Sequence, residues 1–345
     1  MEFIDIVPNI VKGLEINDGV TVILNFWGEN KDLNILDEFT IEIAKAGAIP
    51  IKFQQSREFI KRCFEDVSLE HLIFDDKKFE VIKNAEVVID IFTYGIAPHK
   101  GFPKDKIGLY KEYMRKLFSV MSYEKDIFVQ IRIPTEENAV DEGIDYELYK
   151  KLMYQALTVD CKELKEECTR IVTMLGGKEE ITIYTGDNNI LKLNINNRKW
   201  NKDDGRGDIP YGEVYIAPVE NMVNGKIIIP EVVLEDITLS DVLLEFENGK
   251  LISCSEDSLI GFIKHFPGDS DVIAEFGIGL NDKIKEFVGC SLIDEKRKGT
   301  AHIAIGMNNI FGGNNESPLH MDFIFIPEKI EIDNEIIMEK DNLLI

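Results

Sequence analysis

Residues 19–53 read GVTVILNFWGENKDLNILDEFTIEIAKAGAIPIKF. The opening GVTVILNF (19–26) is a short run rich in β-branched residues, which fit a pleated, half-buried surface. LDEFTIEIAKAG (36–47) changes the rhythm: its apolar residues recur at helical spacing, and it ends on a glycine, a usual helix stop. AIPIKF (48–53) returns to strand texture. Strand, helix and strand in so few residues make a βαβ unit, whose two strands must lie parallel with the helix across them. The alternation recurs in KNAEVVIDIF (83–92), KEYMRKLFSVMS (111–122) and DIFVQIRI (126–133). An α/β amino-terminal domain with a mainly parallel sheet, covered on both faces, is the expectation.

The texture changes further along. DYELYKKLMYQALTVDCKELKEECTRIVTML (145–175) is the longest helical pattern and is read as the way out of this domain. Beyond about residue 178, ITIYTG, LKLNIN, EVYIAP, GKIIIP, DVLLEFENGKLIS and MDFIFIP are short strands separated by Asn, Gly, Asp and Pro. ENGK (247–250) has the composition of a hairpin turn, and SEDSLIGFIKHF (255–266) is the one clear helix. The division expected is an α/β domain over 1–178 and a strand-rich α+β domain over 179–345.

Composition narrows the function. The 345 residues are 44% hydrophobic and 30% charged, with a formal net charge of −24. That suits a globular chain with a sizeable core, and opposes nucleic-acid binding, which relies on clustered Lys and Arg. It also opposes docking on anionic membranes. Five cysteines, odd in number and without C-x-x-C, give neither a zinc ribbon nor a disulfide framework. The acidic MEFIDIVPNIVKGLEI start does not resemble a signal peptide, and no run approaches the ~20 apolar residues of a membrane span, so a cytoplasmic protein is expected.

Familiar catalytic motifs are missing. There is no phosphate-binding G-x-x-x-x-G-K-[ST] and no G-x-S-x-G elbow, and FGIGLN (276–281) lies in the wrong domain for a dinucleotide fingerprint. Metal chemistry remains. Of five histidines, two fall in GTAHIAIGMNNIFGGNNESPLHMDF (299–323), eighteen positions apart, around a Gly/Asn-rich segment. HMDF places His320 and Asp322 on the same face of a strand, because the side-chain period is two. Glu213 in PYGEVYIAP and Glu275 in DVIAEFGIGLN interrupt apolar runs, where a carboxylate is costly unless paired, protonated or bound to metal. Together with His302 these make three carboxylates and two imidazoles, donors suited to two divalent ions such as Zn²⁺, Co²⁺, Mn²⁺ or Fe²⁺.

GEVYIAPVE, AEFGIGLN, GTAHIAIG and SPLHMDF, in this order over roughly residues 205–325, resemble the signature segments of the M29 (aminopeptidase T-like) metallo-aminopeptidases. The resemblance implies that Glu213, Glu275, His302, His320 and Asp322 are metal ligands. It also implies that two divalent ions sharing a bridging hydroxide remove the amino-terminal residue of short peptides, in a homodimer. Glu213 and Glu275 are the candidates to carry the proton, and which of them bridges the ions is left open. The family's tyrosine, seven residues after the third-segment histidine, is replaced by Asn309, which donates a hydrogen bond but is no acid. Tyr211, beside Glu213, is a conceivable stand-in. Two other readings compete. A ring-opening dioxygenase of the dihydroxypyridine type would hold one iron on His302, His320 and Asp322, and a metal-binding protein without turnover would keep the ligands alone. His99 follows a strand where open α/β sheets place ligand loops. His71 and His265 read as surface or packing residues, and Lys296 and Arg297 as a solvated turn.

Overall fold

The computed structural model describes residues 2–68, 76–98, 100–186, 188–205, 207–234 and 237–345. His71 and His99 lie outside them. The chain forms two compact units: Met1–Thr158 with Gly205–Ile209, and Val159–Asp204 with Pro210–Ile345.

The first unit is built as the opening stretch foretold. Strand Thr21–Trp27, helix Leu33–Lys45 and strand Ile49–Gln54 form its first βαβ crossover. Gly47, at φ +87°, turns the chain after the helix, where an L side chain would be strained. Strands Val87–Phe92, Ile127–Arg132 and the short Asp208–Ile209 complete a sheet parallel throughout. All six residues of the Val87–Phe92 strand are buried, as expected for a strand covered on both faces. Three side chains in register cross this sheet: Asn25, Asp90 and Gln130. The Asp90 carboxylate accepts from Asn25 Nδ2 and Trp27 Nε1, both at 2.7 Å, and from Gln130 Nε2 at 3.1 Å. Burial pushes its pKa up to about 6, against the pull of those hydrogen bonds.

The expected 145–175 helix is two helices, Tyr146–Ala156 and Cys161–Leu175. Asp160 caps the second, accepting from the backbone N–H of Lys162 and Glu163. A continuous apolar rhythm conceals such a cap. The second helix packs against strands Asn201–Asp203 and Glu213–Ile216, inside the second unit.

The second unit has two antiparallel sheets. The larger joins eight strands between Glu180 and Leu343. Its strands Ile237–Glu247 and Lys250–Cys254 meet at the expected turn, with Asn248 and Gly249 at φ +49° and +76°, the signature of a tight hairpin. The smaller sheet carries the chemistry. Its order is His320–Phe325, Ala301–Gly306, Ile273–Gly279, Glu213–Ile216, Asn201–Asp203. One face is apolar and buried, with Val214, Ile216, Phe276, Ile278, Ile303, Ile305, Phe323 and Phe325. The other is polar. The cysteines are all free, Cys168 and Cys290 being buried. Among the described residues no helix is long and apolar enough to cross a membrane.

Candidate metal centre

Antiparallel register brings the expected ligands onto one face of the smaller sheet. Glu213 lies opposite Gly279 and Tyr215 opposite Gly277. Gly277 in turn faces His302, and Glu275 faces Ala304. Ala304 pairs with Asp322, and Gly306 with His320. Alternation therefore gathers Glu213, Glu275, His302, His320 and Asp322 on a floor of Gly277, Gly279, Ala304 and Gly306. The two glycines of FGIGLN are cleared ground: a Cβ at Gly277 would stand 2.1 Å from the His302 ring, and one at Gly279 2.1 Å from the Arg297 carbonyl oxygen.

A bulge between Ile273 and Glu275 sets the aim of Glu275. It disrupts the ladder, leaving carbonyl groups in need of partners. The Gly/Asn-rich segment supplies them: Asn308 Nδ2 donates to the Ala274 carbonyl at 3.1 Å and Asn315 Nδ2 to that of Ile273 at 2.8 Å. Glu220 accepts from the Asn314 backbone N–H at 2.7 Å and pairs with Arg198 at 2.5 Å. The asparagines of this segment thus pin it down between the two histidine strands. Asn309 is exposed on its turn. Phe311 instead presents its ring edge-on to His320 at 5.7 Å and to Tyr215 at 5.5 Å.

Glu275 stands at the middle of the group. Its Oε1 is 3.3 Å from His302 Nε2, and its Oε2 is 3.5 Å from His320 Nε2. His302 Nε2 is also 3.5 Å from Glu213 Oε2, and His320 Nε2 is 3.5 Å from Asp322 Oδ1. His320 Nδ1 lies 2.8 Å from the Met307 carbonyl, which directs Nε2 inward. His302 Nδ1 is buried with no such partner among the described residues. Burial opposes a charge on either imidazole. The hydrogen bond to Glu275 and the surrounding carboxylates outweigh it at His302, raising its pKa to about 9. Asp322 does most of this at His320, raised to about 10, and is itself held down at about 2 by His320 despite its burial.

The sequence reading of Lys296 as a solvated turn residue is overturned. Its ammonium is buried and pairs with Glu213 Oε1 at 2.5 Å, Asp203 Oδ2 at 3.0 Å and Glu295 Oε1 at 3.1 Å. Asp203 and Glu295 were not foreseen. Asp203 enters through its register with Glu213, which no local motif records. Burial and the charges of Glu213 and Asp322 push Glu295 up to about 8, against the pull of Lys296. Tyr211 cannot stand in for the family tyrosine, because its hydroxyl is engaged with Cys161 Sγ. Tyr215 shares the face of Glu213 instead, and burial, with the charges of Glu275, Asp203 and Glu213, raises its pKa. Its position two residues after Glu213 was the available signal. His265 is exposed, its Nδ1 2.6 Å from the Gly261 carbonyl, in keeping with a surface role.

Among the described residues no three His, Cys, Asp or Glu side chains already enclose a common point. The donor set nevertheless fits metal. Ligand atoms sharing a tetrahedral ion at 2.0–2.2 Å stand about 3.3–3.6 Å apart, and the four imidazole–carboxylate separations fall at 3.3–3.5 Å. Glu213 Oε2, aimed at His302, is buried without a hydrogen-bond partner among the described residues.

Comparison with known proteins agrees with this chemistry. The chain is similar in structure to wild-type AmpT from Thermus thermophilus, at 15% identity and a TM-score of 0.71, covering 99% of each chain. It is also similar to 2,5-dihydroxypyridine dioxygenase from Pseudomonas putida, at 12% identity and a TM-score of 0.66, covering 99% of this chain and 96% of that one. At such identities the likeness is one of fold. No curated protein sequence matches the chain. The sequence model of the thermophilic metalloproteases (M29) matches residues 7–342, and the chain therefore belongs to that metalloprotease family.

Proposed function

We propose that the protein is a metal-dependent aminopeptidase that removes the amino-terminal residue of short peptides at a two-ion centre. The observation that carries this reading is the split of Glu275, whose two oxygens face different histidines at 3.3 and 3.5 Å. Glu213, Glu275 and His302 would hold one ion, and Glu275, His320 and Asp322 the other. A single iron on His302, His320 and Asp322 would leave Glu213 Oε2 buried and unused, which favours the peptidase over the dioxygenase.

When bound, two divalent ions would supply a nucleophilic water at neutral pH and polarise the scissile carbonyl. The chain's own groups do the rest. Water adds its oxygen to the carbonyl carbon, the C–N bond breaks, and the proton released must reach the leaving amine. Glu213, with Oε1 held by Lys296 and Oε2 directed inward, is the candidate to carry that proton. The Tyr215 hydroxyl and, from its turn, the Asn309 amide are the candidates to donate a hydrogen bond to the carbonyl oxygen. Phe311 helps to exclude water above His320. The proposal includes the homodimer and the cytoplasmic location expected from sequence.

The test compares unblocked and acetylated dipeptide amides with protein of known metal content. Hydrolysis of the free-amine substrate alone, with close to two zinc, cobalt or manganese ions per chain, is the expected result. Equal cleavage of the acetylated substrate would exclude an aminopeptidase. One iron per chain with oxygen uptake on hydroxylated pyridines would transfer the assignment to the dioxygenase.

A further inference from the structure

Beside the centre, on the side of His320 and Asp322, the second unit contains a cavity of about 240 Å³. Its walls include Val233, Phe287 and Ile324, and Glu231 stands at its edge. By the share of volume a water takes in the liquid, ~30 Å³, the space is that of about eight waters. It therefore admits one amino-acid side chain rather than a folded segment. Two proposed ligands form part of its wall, so a substrate whose amine and carbonyl sit at the ions has its first side chain at this opening.

The lining selects by length and by charge. Val233, Phe287 and Ile324 offer apolar surface to a side-chain stem. Apart from His320, a ligand in the proposed centre, the ionisable side chains at its walls are carboxylates: besides Glu231 and Asp322, Asp294 lies here with its carboxylate taken by the backbone N–H groups of Val288, Gly289 and Cys290 at 2.6–3.1 Å. Gly289 leaves room for the Glu231 carboxylate: a Cβ at that glycine would meet Glu231 Oε1 at 2.2 Å. A substrate carboxylate entering this space would meet those of Glu231, Asp294 and Asp322, with the His320 imidazole neutral once it holds an ion.

We propose that this cavity receives the side chain of the substrate's amino-terminal residue and prefers long, non-acidic side chains, those of Leu, Met, Lys and Arg, with Val233 and Glu231 as its specificity-determining residues. The assignment rests on the aminopeptidase reading and adds the substrate class to it.

The test is a kcat/KM profile of the metal-loaded protein on aminoacyl anilides of Ala, Leu, Arg and Glu, for the wild type, Val233→Trp and Glu231→Lys. Titration calorimetry with free arginine and free glutamate gives a readout independent of turnover. Leu and Arg should exceed Ala and Glu by about tenfold, the scale on which an apolar pocket discriminates. Val233→Trp, on an exposed strand position that tolerates an aromatic, should lose the Leu advantage while sparing Ala. Glu231→Lys should shrink the Arg-to-Glu ratio about fivefold, as expected of a solvent-exposed charge pair, and weaken arginine binding. A flat profile, or variants that lower all four substrates equally, overturns the cavity's role and leaves the aminopeptidase reading standing. Hydrolysis of none of the four by metal-loaded protein overturns both.

Discussion

Replacing Gly277 by alanine tests the arrangement of the site with one methyl group. Gly277 is not at positive φ, so alanine fits its backbone. The obstacle is the His302 ring: the new Cβ would stand 2.1 Å from Cε1 and 2.2 Å from Nε2, whereas ordinary contact begins at 3.4 Å. The ring would have to retreat by more than 1 Å. His302 is only 1% exposed, so that retreat overpacks its neighbours, at a cost of about 1–3 kcal/mol. It also withdraws Nε2 from Glu213 and Glu275. A displacement of ~1 Å at a reacting centre is worth about 10²-fold in rate. Urea unfolding, elemental mass spectrometry and kcat/KM on an unblocked dipeptide amide read the three effects. The expected variant is folded, destabilised, short of about one ion per chain, and slower by about two orders of magnitude. Gly108→Ala is the control: nothing lies within 4 Å of its added Cβ in helix Ile107–Ser122, and it should be neutral or stabilising by at most about 1 kcal/mol. A Gly277→Ala protein with unchanged metal content and stability within about 0.5 kcal/mol of wild type would refute the placement of His302.

His320→Ala should remove an ion while leaving the unfolding transition nearly intact, because the ring is at the partly exposed end of the group; retained metal stoichiometry would contradict its role. Lys296→Met leaves three buried carboxylates without their cation, and chemical denaturation should show a loss of about 3–5 kcal/mol; a change within about 0.5 kcal/mol would show that the ammonium is dispensable. His302 and His320 are raised to about 9 and 10 from an ordinary value of ~6.5. The stability they give the metal-free protein is complete below that ordinary value and is lost as pH rises through about 9 and 10. Urea midpoints measured in chelator should therefore fall across this range, and a flat profile would count against charged imidazoles. Since an imidazole ligates only when neutral, metal uptake near pH 7 should expel close to two protons per chain, read by calorimetry in buffers of different ionisation enthalpy.

The fold was legible where periodicity speaks. The 19–53 stretch announced its crossover because strand and helix periods differ, and Asn248–Gly249 announced a hairpin because few residues accept positive φ. The proposed ligands stood out through oddity, as carboxylates in apolar runs and two of five histidines in one segment. What escaped depends on pairing between distant strands. Nothing near Lys296 says that Asp203 and Glu213 will be beside it, and DEKRKG looks like any charged turn. Local sequence did not distinguish Tyr211, turned toward Cys161, from Tyr215, turned toward the carboxylates.

The Asp90 cluster bears on how the parallel sheet avoids mispairing. A strand buried along its whole length, such as Val87–Phe92, has apolar side chains on both faces, so hydrophobicity alone barely distinguishes the native alignment from one slipped by a residue. Asp90 does distinguish them. A slip separates its carboxylate from Asn25, Trp27 and Gln130 and strands it among valines and isoleucines, a burial no compact competitor can tolerate without a proton or a partner. Parallel pairings join residues far apart in the chain and are slow to form. One carboxylate that is satisfied in a single alignment rejects the near misses that would otherwise accumulate before the right one is found.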